Sequence, residues 1–148
     1  MRIVVQRVKR ASVSVDGELI SSIQQGLMVL LGAGDGDSEK DAEFLMRKVC
    51  SMRIFSDEQG KMNLSVRDVG GGILLISQFT LYGEAKKGNR PSFIRAMEPV
   101  RAKELYEYAA SLIEKEGIPV GMGVFGADMK IDMLCDGPVT ILLDTDEK

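Results

Sequence analysis

The residues best placed for chemistry directly follow the apolar run 73–76, and they are Ser77, Gln78, Phe79 and Thr80. Such a run is typical of a strand buried on both faces, so these residues are predicted to lie at a strand end, beside a cleft. The Ser77 and Thr80 hydroxyls are candidate nucleophiles, but a hydroxyl needs an adjacent base and the neighbouring sequence offers none. Hydrogen bonding that shapes the loop is an equally good interpretation. The backbone N–H groups are candidate donors to a developing oxyanion.

A second candidate feature is the pair Gly137-Pro138, which directly precedes the apolar run 139–143. Only about 5–6% of X-Pro bonds in folded proteins are cis, so a generic Gly-Pro bond is expected to be trans. Its position at the mouth of a strand nevertheless favours a fixed backbone shape there. Met129 and the nearby Phe125 are candidate pocket residues, although core packing is the ordinary role of methionine.

Composition excludes several kinds of active site. The 148 residues include no histidine, so Ser-His-Asp and Cys-His systems and His-ligated metal sites are excluded within the chain. Cys50 and Cys135 lack metal-site spacing and are interpreted as reduced thiols. We expect no metal and no cofactor, and hydrolysis would have to use another base, backbone groups or the substrate's own groups.

The formal net charge of −3 argues against extensive electrostatic binding of nucleic acid but permits contact with a small part of it. Residues 82–96 are loop-like and basic, and their cations are Lys86, Lys87, Arg90 and Arg95. A solvated loop is the ordinary interpretation, and contact with the end of an RNA is the more specific alternative. The chain carries no signal peptide and no apolar stretch of about 20 residues, which predicts a soluble cytoplasmic protein.

The pattern of apolar residues predicts one α/β (α+β-like) domain over residues 1–148, with two main helices on a mixed, mostly buried sheet. The first helix follows a cap at Ser38, and the second begins at Pro99 and ends before Gly117. Their core faces are predicted to be Ala42, Leu45, Met46, Val49 and Met52, then Ala102, Leu105, Ala109, Leu112 and Ile113. The strands are predicted as a hairpin over 1–23, buried strands at 27–31 and 73–76, a short strand at 54–55, and strands near 120–125, 130–134 and 139–143.

The glycine-rich segment 32–37 superficially resembles a phosphate-binding loop. It lacks the GxGxxG order, and Asp35 and Asp37 would repel an anion. A strand-to-helix loop is the favoured interpretation, and a nucleotide-binding protein is the alternative.

Several motifs in one order make the chain resemble the D-aminoacyl-tRNA deacylase family. They are Ile-Val-Val-Gln-Arg-Val at 3–8, Arg-Ile-Phe-Ser-Asp at 53–57, Gly-Lys-Met-Asn-Leu at 60–64, Ser-Gln-Phe-Thr-Leu at 77–81, Arg-Pro-Ser-Phe at 90–93, Phe-Gly-Ala-Asp-Met at 125–129 and Asp-Gly-Pro-Val-Thr at 136–140. The resemblance covers nearly the whole chain. Cys135 stands where the family usually has asparagine.

The resemblance implies a barrel-like homodimer that hydrolyses the ester between a D-amino acid and the tRNA 3′-terminal adenosine. It also implies activity on glycine mischarged onto alanine tRNA. Gly137-Pro138 corresponds to the family's Gly-cisPro motif, which enters the partner subunit's active site, and Ser77, Gln78, Phe79 and Thr80 correspond to the pocket segment. The family's specificity rests on rejection of L-amino acids more than on selection of D side chains.

This resemblance leaves three hypotheses for the chemistry. In the first, backbone groups near Phe79 and Thr80 stabilise the oxyanion while the ribose 2′-hydroxyl assists the attacking water. In the second, Thr80 is a covalent nucleophile. In the third, the chain is a catalytically inactive module that binds tRNA 3′ ends. A cis Gly137-Pro138 peptide would present carbonyls to the substrate's α-ammonium, and an L side chain would then meet rigid backbone.

Overall fold

The computed structural model describes residues 1–147, so Lys148, the last residue of the predicted domain, lies outside the described residues. Within 1–147 the strands are β1 Arg2–Val15, β2 Glu18–Ile23, β3 Gly26–Gly32, β4 Phe55–Ser56, β5 Met62–Leu64, β6 Gly72–Ser77, β7 Val120–Met122 and β8 Lys130–Asp144. The helices are α1 Glu39–Ser51 and α2 Pro99–Lys115, and short 3₁₀ turns cover Phe79–Tyr82 and Thr145–Glu147.

The long strand β1 organises the sheet. The chain reverses at Asp16 and Gly17, whose φ angles of +50° and +80° suit a tight hairpin turn. The returning chain pairs antiparallel with β1 first as β2 and then as β3, as far as Arg2 opposite Gly32. The predicted hairpin is therefore confirmed, and it continues beyond residue 23.

The other edge of β1 pairs antiparallel with β8. The prediction of two separate strands at 130–134 and 139–143 is wrong, because a single strand covers Lys130–Asp144. The segment between the two predicted strands is a bulge rather than a break, since pairing with β1 resumes on both sides of it.

The central strands are buried on both faces, as predicted. β3 pairs with β6 and β6 with β7, all parallel, so the sheet is mixed. Residues 73–76 of β6 each have a relative exposure of 0%. Alternate residues of such a strand enter different cores, which explains the unbroken apolar run.

Two clusters of buried side chains lie on the two sides of the sheet. The larger lies beneath the helices and includes Ile73 and Leu75, while the smaller includes Leu74 and Ile76. In the strand order β2-β1-β3-β6-β7, the two end strands are joined by a hydrogen bond. The Ser21 hydroxyl on β2 donates to the Met122 carbonyl on β7 at 2.7 Å. The sheet therefore curls nearly into a barrel around the smaller cluster.

Both helices form where the sequence predicts them. The Ser38 N–H donates to the Asp41 carboxylate at 2.9 Å at the start of α1, and Pro99 opens α2. Gly117, with φ of +77°, follows the end of α2. The predicted core faces are buried except for Met52 and Leu112, which are half-buried and pack against the larger cluster.

The predicted fold class, two helices on a mixed and mostly buried sheet, is thus confirmed. The loop-like character predicted for residues 82–96 also holds, apart from Tyr82, which ends a 3₁₀ turn, and isolated bridges. Among the described residues, no helix is both long and apolar enough to cross a membrane.

Candidate active site

The carboxyl end of β6 is where the candidate residues gather. Ser77 is the last residue of β6, and the Gln78 N–H donates to the Leu31 carbonyl at 2.7 Å, which holds the chain against β3 as it leaves the sheet. The 3₁₀ turn Phe79–Tyr82 follows at once. The first N–H groups of such a turn have no partner within it, and those of Phe79 and Thr80 donate to no other backbone group in 1–147.

A cavity of about 220 Å³ opens at this strand end. Its walls come from β3, β6 and the 3₁₀ turn after it, α2, the loop between β7 and β8, and the start of β8. The lining residues are Leu31, Ala33, Ile76, Ser77, Gln78, Phe79, Ala102, Tyr106, Phe125, Gly126, Ala127, Asp128, Met129 and Ile131. The structure therefore brings together the predicted residues Ser77, Gln78, Phe79, Phe125 and Met129.

Thr80 is exposed and does not line the cavity. Its hydroxyl accepts a short hydrogen bond from the Gln78 side-chain amide. An amide cannot take up a proton at neutral pH, and within residues 1–147 no ionisable side chain is hydrogen-bonded to this hydroxyl. The arrangement lacks the base that a threonine nucleophile requires.

Tyr106 of α2 is a buried residue of the cavity lining that connects parts of the cavity wall. The side chain is 2% exposed, and its hydroxyl donates to the Leu75 carbonyl at 2.6 Å and accepts from the Gly123 N–H at 3.1 Å. Burial raises the pKa of this phenol to about 12. One neutral hydroxyl thus ties helix α2 to β6 and to the loop that carries Phe125.

Asp128 is the carboxylate of the cavity lining, and it is mostly exposed. Its oxygens lie 3.0 and 3.1 Å from the Lys130 ammonium. An exposed ion pair of this kind contributes little to stability.

Gly137 and Pro138 are exposed, and neither lines the cavity of its own chain. The peptide bond between them is cis. They belong to the bulge of residues 136–139, which lies opposite the single residue Arg7 because Gln6 pairs with Thr140 and Val8 with Cys135. Within one chain, therefore, the two predicted halves of the site are separate.

Arg7 holds the bulge on the sheet. Its guanidinium donates to the Asp136 carbonyl at 3.1 Å and to the Ile54 carbonyl at 2.6 Å. The same side chain lies 3.5 Å from the Asp136 carboxylate and is only 11% exposed. Gly137 has φ of +132°, and a Cβ there would lie 2.7 Å from the Val139 nitrogen, so only glycine suits this position.

The basic residues predicted to contact RNA all lie on an exposed loop: Lys86, Lys87, Arg90 and Arg95. The loop is closed by paired backbone hydrogen bonds between Glu84 and Ser92 of 2.8 and 2.9 Å. Phe93 of this loop contacts Phe79 of the cavity lining, with ring centroids 5.1 Å apart, so this part of the loop lies beside the cavity.

The glycine-rich segment connects β3 to α1, as the favoured interpretation predicts. The Gly34 N–H donates to the Asp37 carboxylate at 2.6 Å, and this carboxylate also lies 2.6 Å from the α-amino group of Met1. An N–H group occupied by a carboxylate is not available to a phosphate, which argues against nucleotide binding here.

The cysteines do not form a metal site. Cys50 is buried and Cys135 is exposed, and both are free thiols. Burial raises the pKa of Cys50 to about 11. Among the described residues, no cluster of three or more histidine, cysteine or carboxylate side chains could hold a metal ion.

Sequence reasoning missed Arg7, Tyr106 and Asp128. A signal existed for Arg7, because it continues the inward alternation of Ile3 and Val5 and a cation at such a position needs partners. Tyr106 and Asp128 gave no comparable signal, since their partners are remote backbone atoms or an ordinary surface lysine.

Comparison with known proteins shows to which family the chain belongs. The family model for D-Tyr-tRNA(Tyr) deacylase matches residues 4–144. The chain belongs to this family. The sequence-based prediction of an aminoacyl-ester hydrolase is thereby confirmed.

Individual relatives agree with the family match. The chain is 57% identical to D-aminoacyl-tRNA deacylase of Koribacter versatilis over 145 residues, covering 98% of this chain and 97% of that protein. It is 54% identical to D-aminoacyl-tRNA deacylase of Myxococcus xanthus over 145 residues, covering 98% and 95%.

Two solved structures share the fold. One, described as c-Myc DNA Unwinding Element Binding Protein, superposes with a TM-score of 0.92 at 44% identity and covers 98% of this chain and 99% of that one. The other, described as a probable eukaryotic D-amino acid tRNA deacylase, has a TM-score of 0.80 at 16% identity, covering 96% and 97%. The second likeness concerns the fold alone.

Proposed function

We propose that this chain hydrolyses the ester between a D-amino acid and the 3′-terminal adenosine of tRNA. The cavity at the end of β6 is the structural observation that carries the proposal. At about 220 Å³ it is smaller than the pockets of roughly 300–1,000 Å³ that enclose whole small-molecule ligands. It suits one aminoacyl group, with the rest of the tRNA outside.

Hydrolysis proceeds by addition of water to the ester carbonyl, followed by departure of the 3′-oxygen, which takes up a proton. An aminoacyl ester is already activated, so the catalyst need only stabilise the oxyanion and orient water. Backbone N–H groups of Phe79 and Thr80 are the proposed oxyanion donors, and the ribose 2′-hydroxyl assists the water.

The rival mechanism makes Thr80 a covalent nucleophile. Turnover of Thr80→Ala separates the two, because backbone donors survive this substitution and a nucleophile does not. We expect a rate within about tenfold of wild type, and a loss of several orders of magnitude would overturn the backbone mechanism. A substrate with a 2′-deoxy terminal adenosine is the reciprocal test, and we expect it to react much more slowly.

Selection against L-amino acids is proposed to come from the Gly137-Pro138 bulge of a second copy of the chain. The exposure of this bulge and its separation from the cavity of its own chain support an action in trans. Backbone carbonyls of the bulge would accept hydrogen bonds from the substrate's α-ammonium and so fix the orientation of its Cα. An L side chain then meets backbone, whereas glycine, which has no side chain, passes.

The decisive assay compares hydrolysis of D-tyrosyl-tRNA and L-tyrosyl-tRNA prepared on the same tRNA. Of the two tyrosyl esters we expect turnover of the D ester only, and glycyl-tRNA(Ala) should also react through the same site. Equal rates on the two tyrosyl esters would contradict chiral selection. No turnover of the D ester would contradict the proposed activity.

The loop with Lys86, Lys87, Arg90 and Arg95 is proposed to contact phosphates near the tRNA 3′ end. A local contact is compatible with a chain of net charge −3, because only the end of the tRNA enters the site. Reversal of Lys86 and Lys87 to Glu should weaken tRNA binding and reduce its salt dependence, and an unchanged salt slope would exclude this loop. Such a substrate would place the enzyme in the cytoplasm.

A module that binds nucleic acid without catalysis is the second candidate. The observation favouring it is the solved structure at 44% identity, whose description is that of a DNA-element binding protein. Tight binding of both tyrosyl-tRNAs without hydrolysis of either would favour this candidate over the enzyme.

A further inference from the structure

Two phenylalanine rings lie exposed at the mouth of the cavity. Phe79 lines the cavity and is 55% exposed, and Phe93 is 37% exposed. Their ring centroids are 5.1 Å apart with an interplanar angle of 71°, so one ring meets the other edge-on. We call Phe79 and Phe93 the aromatic pair.

The backbone fixes Phe93 without burying its ring. The Ala96 N–H donates to the Phe93 carbonyl at 3.0 Å, and the neighbouring Ser92 is paired with Glu84 across the loop. Gly83 leaves room for the ring, because a Cβ there would lie only 3.0 Å from Phe93 Cε1. The backbone that carries Phe93 is therefore held in place while both rings stay exposed, which lowers the entropic cost of binding a flat ligand.

The loop that carries Phe93 is basic although the chain is acidic. Lys86, Lys87, Arg90 and Arg95 surround Phe93 in the sequence, and the one carboxylate between residues 83 and 96 is Glu84. Exposed aromatic rings among basic side chains are the usual platform for single-stranded nucleic acid, since bases stack on the rings and cations meet the phosphates.

We propose that the aromatic pair stacks an unpaired base of the tRNA 3′ end, that of the nucleotide preceding the terminal adenosine. The inference rests on the proposed function, because Phe79 belongs both to the cavity that would hold the aminoacyl group and to the pair. Phe79 lines the cavity and Phe93 does not, so a strand leaving the cavity would place the terminal adenosine near Phe79 and bring the preceding base to Phe93.

The test compares two substrates of the full-length chain, D-tyrosyl-tRNA and D-tyrosyl-adenosine, which lacks the preceding nucleotide. Phe93→Ala should raise KM for the tRNA about tenfold while changing KM for the nucleoside ester less than twofold. Phe93→Tyr, which keeps a ring, should restore the wild-type KM. Ile94→Ala is the matched control, because Ile94 is 89% exposed beside Phe93 but cannot stack, and it should leave both KM values unchanged.

Each other result overturns the proposal in a recognisable way. Equal effects of Phe93→Ala on the two substrates, or an equal effect of Ile94→Ala, would exclude stacking. A change of oligomeric state in Phe93→Ala, measured by sedimentation, would show that the rings contact a second copy of the chain instead. A wild-type protein inactive on both substrates would overturn the proposed function and the stacking with it.

Discussion

Tyr106 is the single side chain through which helix α2 holds two parts of the cavity wall. Its hydroxyl is bonded to the Leu75 carbonyl on β6 and to the Gly123 N–H beyond β7. Because both partners are backbone groups, the hydroxyl rather than the ring determines the position of the loop that carries Phe125. The ring adds a tilted contact with Phe125 at a centroid distance of 6.1 Å.

Removal of this hydroxyl should destabilise the fold and loosen the site. Tyr106→Phe leaves two backbone groups without a partner at a buried position, which costs about 1–3 kcal/mol of unfolding free energy. We expect a lower denaturation midpoint in urea with an unchanged m-value, together with reduced kcat. Tyr108→Phe is the control, because that hydroxyl is bonded to the exposed Glu43 and should cost little.

The same hydroxyl predicts a pH dependence. Because burial raises the folded pKa of Tyr106 to about 12 from an ordinary value of 10, the folded state holds the proton more tightly than the unfolded state. The resulting stability is fully present below pH 10 and is lost between pH 10 and 12, at no more than about 1.4 kcal/mol per pH unit. The difference in unfolding free energy between wild type and Tyr106→Phe should therefore shrink over that range. A constant difference would contradict the assignment.

At the scale of elements, the bulge in β8 shows where sequence reasoning succeeded and where it failed. The apolar residues on both sides of Gly137-Pro138 predicted strands. A Gly-Pro pair is nevertheless typical of a strand end, since proline has no N–H to donate to the neighbouring strand. Only the partner strand shows that pairing resumes after four residues. The buried runs 27–31 and 73–76 were predictable because burial on both faces leaves a local apolar signature, whereas a long-range partner such as Ile54 for Arg7 leaves none.

Arg7 should control the shape of this bulge. Arg7→Lys keeps the charge but cannot donate to the Asp136 and Ile54 carbonyls from one planar group. We expect kcat on D-tyrosyl-tRNA to fall at least about tenfold, since a charge-assisted hydrogen bond contributes roughly 1.5–3 kcal/mol.

Lys9→Met provides the comparison for Arg7, because Lys9 also approaches Asp136, at 3.6 Å, but its side chain is 58% exposed. Its kcat should stay within about twofold of wild type, as expected for an exposed ion pair. Equal losses in the two variants would show that charge near Asp136 matters and that the bridge between the carbonyls does not.

At the scale of the whole molecule, β8 has a partner on one edge only. It is 15 residues long and pairs with β1, while no other described strand covers its second edge. Met133, Leu134 and Leu142 are exposed along it, at 36%, 49% and 70%. A long edge with exposed apolar side chains favours association, which agrees with the homodimer implied by the sequence resemblance.

A charge on this strand should prevent the association. Leu142→Asp should convert the dimer into a monomer in analytical ultracentrifugation and abolish deacylation, with little loss of monomer folding because the side chain is already exposed. Val100→Asp is matched to it, since Val100 is 69% exposed but lies on α2, and it should remain dimeric and active. A wild-type monomer, or an active monomeric Leu142→Asp, would contradict the dimer.

Mixing two inactive variants tests whether the bulge acts on the partner's cavity. Gly137→Ala should distort the bulge, because Gly137 has φ of +132° and no room for a Cβ. Ala127→Phe should fill the cavity. If the bulge acts on the partner's cavity, one site of a mixed dimer has an intact cavity and an intact bulge, while the other site carries both defects.

Each variant alone should be inactive, and co-refolding them in equal amounts should restore about a quarter of wild-type activity, since half the dimers are mixed and each has one working site. Recovery should track the fraction of mixed dimer, measured by native mass spectrometry. A bulge that serves the cavity of its own chain gives no recovery, because every cavity then carries one defect. Absent recovery despite a measured mixed dimer would thus reject action in trans while leaving the deacylase activity itself intact.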